Sequence, residues 1–485
     1  MSTIAIQNLT FGYPDQTQPL LKQLSVSFDA SWHLGLIGRN GRGKTTLLRL
    51  LLGALQPTQG AITTDLAFHY FPQPLPAQAA AMTVSEVLLT ISAAEPWQWQ
   101  VEMQNLGLPL ALMDQPFGTL SGGEQTKVML AELFSAPTGF ALIDEPTNHL
   151  DVQGRRQTAR YLQHKQGFIV VSHDPVFLDT TTDHTLALER QGVALYQGSY
   201  QVWHQEKTAA DTREAAEQGQ LKREISRLTA AAQTRSTWAQ KTNAQGPAFS
   251  KQAARMMRKA KNIEHRSDTA IAAKQALLKN IEVIEPLTVS YTPWREDPVL
   301  RAETVTVQRH GRSLFQPVNF TLHRGERLQL QGPNGSGKTS LIQALLGQLS
   351  ATALQGTYQI PAGVTFSYLP QTFADPAALM RFVGAAALHD QDILYWLHKM
   401  GLPRARFTVP VARWSMGEKK KLLLAASLQR SGNVLIWDEP TNYLDVDTRN
   451  QLLAGVQKSA ATMIIVDHDA AFTQTICNAA IVLHH

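Results

Sequence analysis

Two nine-residue stretches carry the residue types that grip a phosphate chain: GRNGRGKTT from Gly38 to Thr46, and GPNGSGKTS from Gly332 to Ser340. Gly38, Gly41 and Gly43 in the first, and Gly332, Gly335 and Gly337 in the second, let successive backbone N–H groups wrap a polyanion at a helix N-terminus. Asn40 and Asn334 lie in the bends, Lys44 and Lys338 reach the terminal phosphates, and Thr45 and Thr339 offer hydroxyls to magnesium. Thr46 and Ser340 complete the loops. Phe140 to Glu145 and Val434 to Glu439 are apolar runs that end in paired carboxylates. Such a strand end can place Asp144 or Asp438 beside the metal, while Glu145 or Glu439 polarises an attacking water, a role worth ~10²- to 10⁴-fold in rate. His173 and His468 each follow another apolar run, where an imidazole can position the terminal phosphate. Taken alone, each would read as a structural histidine.

These residues need strands and helices to hold them, and the flanking sequence supplies both. The apolar His33 to Ile37 precedes the first glycine loop and the helical pattern Leu47 to Leu52 follows it. The whole arrangement occurs twice. Lys44 and Lys338, Glu145 and Glu439, and Asp151 and Asp445 are each 294 residues apart, and His173 and His468 are 295 apart, so the offset holds to within one residue across four motifs. The 485 residues therefore divide into an α/β domain over 1–206, a segment over 207–283, and a second α/β domain over 284–485. The single cysteine, Cys477, excludes a disulfide framework and fits a reducing compartment. The amino terminus lacks the basic and apolar regions of a signal peptide, and no apolar run approaches the ~18 residues that span a bilayer. A cytoplasmic protein without membrane insertion is expected.

Between the strands lies room for small helical subdomains. Pro74 to Thr119 shows helical spacing at Thr83 to Ile91 and Trp97 to Leu106, and Thr372 to Arg413 is similarly compact.

LSGGE at Leu120 to Glu124, DEPTNHLD at Asp144 to Asp151 and DEPTNYLD at Asp438 to Asp445 resemble the ABC ATPases along the whole chain. That resemblance implies tandem P-loop ATPase domains hydrolysing ATP to ADP and phosphate with Mg2+, closed as a head-to-tail sandwich within a monomer. Each ATP would lie between one P-loop and the opposite signature, formed by Ser121, Gly122, Gly123 and Glu124 or by Ser415, Gly417 and Glu418. Gln73 and Gln371 would be the Q-loop glutamines, Asn148 to Asp151 and Asn442 to Asp445 the D-loops, and Tyr13 the adenine platform. The second signature departs from the pattern, because Met416 replaces its first glycine. The amino-terminal site, which that signature would face, is expected to turn over more slowly, with a harmless variant as the alternative. Arg309 falls near the place where Tyr13 has its counterpart.

The segment from Lys207 to Asn280 carries fifteen Lys and Arg against six Asp and Glu, a charge of +9 in a chain whose total is +5. Leu221, Ile225 and Leu228 share a helical face, Thr242 to Pro247 is a turn, and Met257, Ala260, Ile263 and Ile271 resume the pattern, which predicts a helical hairpin. Lys241, Lys251, Arg255, Arg258, Lys259 and Lys261, interleaved with Trp238 and Phe249, suit an RNA backbone with unstacked bases. A solvated coiled-coil tether is the bland alternative. Tandem ABC modules joined by such a hairpin resemble the ABC-F family, and Ala253 to Lys261 is similar to its branch conferring lincosamide, streptogramin A and pleuromutilin resistance. The resemblance implies a ribosomal partner, with rRNA and the P-site tRNA as contacts. Binding would be near the exit-tRNA site, with the linker directed to the peptidyl-transferase region. A housekeeping translation factor and the soluble ATPase of a transporter are the alternatives. A DNA partner is not expected, since one cysteine cannot build a multi-cysteine zinc site.

Overall fold

The computed structural model describes residues 2–14, 19–135, 139–148, 150–189, 192–210, 285–309, 311–348, 354–371, 373, 375–384 and 387–484, with isolated positions between 212 and 226. The expected RNA contacts of Trp238, Lys241, Phe249, Lys251, Arg255, Arg258, Lys259 and Lys261 lie outside the described residues. The chain forms two compact units, one of residues 1–201 with 285–485 and one of residues 202–284. In the second unit, residues 202–210 are helical. None of the described helices is long and apolar enough to cross a membrane.

The larger unit contains two modules of the same plan. In the first, strands Leu21–Asp29, Thr3–Phe11 and Gln59–Thr63 form an antiparallel sheet. Ile4, Ile6, Leu9 and Phe11 point inward from its middle strand. Beneath it a second sheet runs in the order Phe68–Phe71, Phe140–Asp144, Phe168–Val171, His33–Ile37, His184–Glu189, all parallel, with Gly192–Gln197 antiparallel at the edge. Its central strand Phe168–Val171 is buried at every position, as expected for a parallel strand covered on both faces. The helix Lys44–Leu51 fills the space between the sheets with Leu47, Leu48, Leu50 and Leu51.

The second module repeats this. Strands Leu300–Arg309, Arg312–Ser313, Val318–Leu322 and Leu354–Gln359 form the antiparallel layer, and the parallel order is Phe366–Leu369, Val434–Asp438, Thr462–Val466, Arg327–Gln331, Ala479–Val482. The helical subdomains hold Val84–Ile91 and Pro96–Asn105 in the first module, and Pro376–Val383 and Gln391–Lys399 in the second. Thr83 caps Val84–Ile91 through a reciprocal pair with Glu86, which explains why that helix starts where its apolar spacing begins.

The parallel order decides the chemistry, because loops at the carboxyl ends of adjacent parallel strands share one crevice. In the first module four neighbouring strands end at Gln73, Asp144 with Glu145, His173, and the Gly38 loop. In the second they end at Gln371, Asp438 with Glu439, His468, and the Gly332 loop.

Glycine also fixes where the chain re-enters the second module. Leu287 and Val289 join its helical core, and the Leu287 N–H donates to Gln451 O at 3.1 Å. A Cβ on Gly455, in helix Val446–Lys458, would stand 2.1 Å from Leu287 O. Gly455→Ala must displace this backbone, with an expected loss of ~1–3 kcal/mol in urea unfolding. An unchanged midpoint would show that residues 285–289 are not held against the helix.

Candidate active sites

Each glycine loop closes onto a helix whose first turn is open to an anion. Gly43 and Gly337 cap helices Lys44–Leu51 and Lys338–Leu345 at φ 96° and 88°, in the left-handed region where a side chain is strained. Gly41 and Gly335 bend the middle of each loop at φ 82° and 81°, and open space surrounds both, which leaves their backbone accessible to a phosphate. Lys44 Nζ donates to Gly38 O at 2.7 Å, and Lys338 Nζ to Gly332 O and Pro333 O, both at 2.8 Å. Each ammonium therefore lies over the loop whose amides it complements. Thr45 Oγ1 donates to Asp144 Oδ2 at 2.7 Å and Thr339 Oγ1 to Asp438 Oδ2 at 2.9 Å. A hydroxyl and a carboxylate converging in this way are the hard oxygen donors magnesium takes. Among the described residues no cluster of three or more His, Cys, Asp or Glu could hold a metal, so phosphate and water oxygens would complete such a shell. Thr46 is buried behind the first loop, its hydroxyl 3.1 Å from Tyr13 OH. The Tyr13 ring meets Phe11 edge-on at 5.1 Å. Arg309 instead sits exposed in a hairpin opposite Arg312. Asn334 precedes Gly335 in the second loop, and Ser340 lies in the first turn of its helix.

Glu145 and Glu439 adopt φ 55° and 50°, a backbone region costly for any residue with a Cβ. Their N–H groups donate to Val171 O at 2.9 Å and Val466 O at 2.7 Å, which holds each turn in place. His173 Nε2 approaches Glu145 Oε1 to 3.2 Å, without hydrogen-bond alignment, and both Glu145 oxygens are buried. Burial and the adjacent Asp144 push the Glu145 carboxyl up to about 8, against the pull of Lys44 and Arg449. Burial, Lys44 and Arg449 hold His173 well below the ordinary histidine value, so its imidazole is neutral at pH 7. In the second site His468 Nε2 is 4.0 Å from Glu439 Oε1, and Asn442 Nδ2 donates to Glu439 Oε2 at 2.9 Å. Burial lowers His468 as well.

The first P-loop packs directly on the second module. Asn40 N donates to Asp445 Oδ2 at 3.0 Å, Asn40 Nδ2 to Tyr443 O at 3.0 Å, and Arg39 Nε to Asp447 Oδ2 at 2.6 Å. A Cβ on Gly417 would fall 2.5 Å from Asn40 Nδ2, so the glycine of the second signature lies against this loop. The D-loops touch each other where Asn442 Nδ2 meets Asn148 O at 3.5 Å. Ser121 and Glu124 cap helix Gly122–Ser135 reciprocally, with Gly122 and Gly123 in its first turn. Ser415 and Glu418 do the same for Met416–Gln429, where Arg406 also grips Glu418 through two 2.8 Å contacts. Met416 is 37% exposed and packs into no core.

The Q-loops differ. Gln73 donates to Glu132 and, at 3.4 Å, to Met129 O, both on helix Gly122–Ser135. Gln371 keeps its side chain exposed, and its carbonyl accepts from Lys420 at 2.8 Å. Lys420 and Lys421 are buried, which sequence reasoning missed. The signal was the run Leu422 to Ala426 directly after them, since a helix that is apolar all round is buried.

Doubled glycine loops, carboxylate strand ends and a P-loop facing the opposite signature define a tandem ABC-type ATPase. The ABC transporter family matches residues 21–148 and 315–442. The ribosome protection protein VmlR of Bacillus subtilis is 31% identical over 99% of this chain and 86% of its own length. The ATP-binding protein Uup of Caulobacter vibrioides is 29% identical over 97% and 75%. Among solved structures, an archaeal ribosome recycling factor in complex with a ribosomal stalk protein aligns at TM-score 0.59 and 20% identity, over 98% of this chain and 87% of that one, a likeness of fold. The chain belongs to the ABC-F family of ABC ATPases, close to its ribosome-protection branch, and hydrolyses ATP.

Proposed function

We propose that this protein is a cytoplasmic, monomeric ATP clamp that binds the ribosome near the exit-tRNA site. Its basic linker, 207–283, would contact rRNA and the P-site tRNA and protect the peptidyl-transferase region from antibiotics. The observation that carries the reading is the likeness to a ribosome protection protein across 99% of the chain, linker included. In each site the glycine-loop amides and Lys44 or Lys338 bind the phosphates. Thr45 with Asp144, or Thr339 with Asp438, would hold Mg2+, which neutralises phosphate charge. Glu145 or Glu439 orients and deprotonates the attacking water, and His173 or His468 positions the terminal phosphate. Asn40 contacts the opposite module at Gly417, Tyr443 and Asp445, so ATP seated on this loop touches both modules only when they are together. A ligand that prefers the closed state shifts the population toward it, and hydrolysis removes that preference.

The Glu145→Gln, Glu439→Gln double variant is therefore expected to co-sediment with ribosomes in ATP at moderate salt. Recovery of the variant in the supernatant would refute ribosome binding. Protection is read separately, as growth of a sensitive host on lincomycin, tiamulin or a streptogramin A. Resistance that survives Trp238→Ala with Phe249→Ala would show that these aromatics do not carry it. Ribosome binding without resistance would assign the housekeeping role.

A further inference from the structure

The two signature helices anchor their Q-loops by opposite chemistry. In the second module the Lys420 side chain, 1% exposed, spends its three N–H donors on Pro370 O at 3.1 Å, Gln371 O at 2.8 Å and Asp438 O at 3.5 Å. One buried ammonium thus ties the Q-loop backbone to the end of the strand that carries Asp438 and Glu439. The grip is on carbonyls, which leaves the Gln371 side chain exposed. In the first module the equivalent position is Thr126, whose hydroxyl turns back to Gly122 O at 2.9 Å and reaches no Q-loop atom. The Q-loop is instead held by Glu132, which takes the Gln73 side-chain amide itself. The position equivalent to Glu132 in the second module is Ala426. Each helix holds its loop at a different place and by a different part, Lys420 through the backbone carbonyls and Glu132, with Met129 O at 3.4 Å, through the Gln73 side-chain amide.

We propose that Lys420 is a positioning residue of the second ATP site, fixing the Q-loop backbone so that Gln371 stays free for the reacting phosphate and water, while Glu132 withholds Gln73 at the first. The proposal rests on the reading of Gln73 and Gln371 as Q-loop glutamines. It makes the second site the faster one for a reason independent of Met416. Positioning errors of about 1 Å can cost ~10²-fold in rate without changing what binds. Loss of the tether should therefore appear in kcat and not in KM.

The experiment uses the full-length protein and measures kcat and KM for ATP in Lys420→Met, Lys420→Arg, Gln371→Ala and the Lys420→Met, Gln371→Ala double variant. Lys420→Met is expected to lose about tenfold in kcat, with KM held within about twofold and most of the rate restored by Lys420→Arg. The double variant is expected to match Gln371→Ala alone, because a residue that acts through Gln371 has nothing left to position. A kcat for Lys420→Met within about twofold of the unsubstituted protein, or losses that multiply in the double variant, would overturn the proposal. A second arm leaves Lys420 untouched. In the Glu439→Gln background, where turnover comes from the first site, Glu132→Ala is expected to raise kcat about threefold or more by releasing Gln73, and an unchanged rate overturns the proposal. Turnover of the unsubstituted protein tests the ATP-site reading by itself, so the two failures are distinguishable.

Discussion

Asp445→Ala is expected to cost ~3–5 kcal/mol, because it leaves Lys421 as a buried cation without its partner. The pair is 2.7 Å apart, with side chains only 2% and 3% exposed. Met400 O, at 2.6 Å from Lys421 Nζ, would remain as an acceptor but brings no charge to offset the ammonium. The same carboxylate caps helix Val446–Lys458 through Thr448 N at 2.8 Å and accepts from Asn40 N of the first P-loop at 3.0 Å. Asp445→Ala should therefore lower both the unfolding midpoint and the affinity for ATP at the first site. Asp445→Asn keeps an acceptor for the cap and should lose less, and Lys421→Met added to Asp445→Asn should recover stability, since an apolar replacement of a buried pair is often neutral. Burial alone would raise the Asp445 pKa, but Lys421 and the Thr448 bond override it and hold the carboxyl well below the usual range. A depressed carboxylate stabilises the fold above the unfolded value near ~3.9 and loses that contribution as pH falls below it. The variant and the parent should thus converge in stability only in strong acid. Equal stability at pH 7 in calorimetry would show that the pair contributes nothing.

Why these residues had to be seen in three dimensions is clear from the offset of 294. The repeat put the glycine loops, Glu145 with Glu439 and His173 with His468 after apolar runs, and those runs are parallel strands whose carboxyl ends adjoin. It could not show what fills a buried position when the two copies differ. Asp151 and Asp445 are equivalent in sequence and both cap a helix. Yet Lys127 bonds Gln157 where Lys421 bonds Asp445. Run together, Lys419, Lys420 and Lys421 read as a solvated charge patch, and only the packing of Met416–Gln429 buries two of the three. Arg39 is likewise an ordinary loop cation in sequence. Its partner Asp447 lies 408 residues away in the other module, and the second P-loop has Pro333 at that place. The outcome is an asymmetry broader than Met416 alone foreshadowed.

Glu145→Gln is expected to reduce hydrolysis at the first site by ~10²- to 10⁴-fold and, at the same time, to stabilise the nucleotide-free protein at alkaline pH. Both effects follow from one geometry. Glu145 is held at positive φ, its two oxygens are buried without hydrogen bonds, and burial together with Asp144 raises its pKa to about 8. The folded state therefore keeps a proton on this carboxyl that the unfolded chain releases near ~4.3. Stability falls as pH rises from that unfolded value toward 8, since folding must then take back a proton that the unfolded chain has already released. Glutamine has the same shape and no charge, so the variant escapes this cost. Melting temperatures of variant and parent should agree near pH 4, diverge progressively as pH rises toward 8, and differ by a constant amount above it, with the variant higher. In the parent, only the ionised carboxylate can accept the proton of the attacking water, which is why the exchange for glutamine removes the rate. A variant no more stable than the parent at pH 9 would show that the Glu145 carboxyl of the nucleotide-free protein is already ionised at neutral pH.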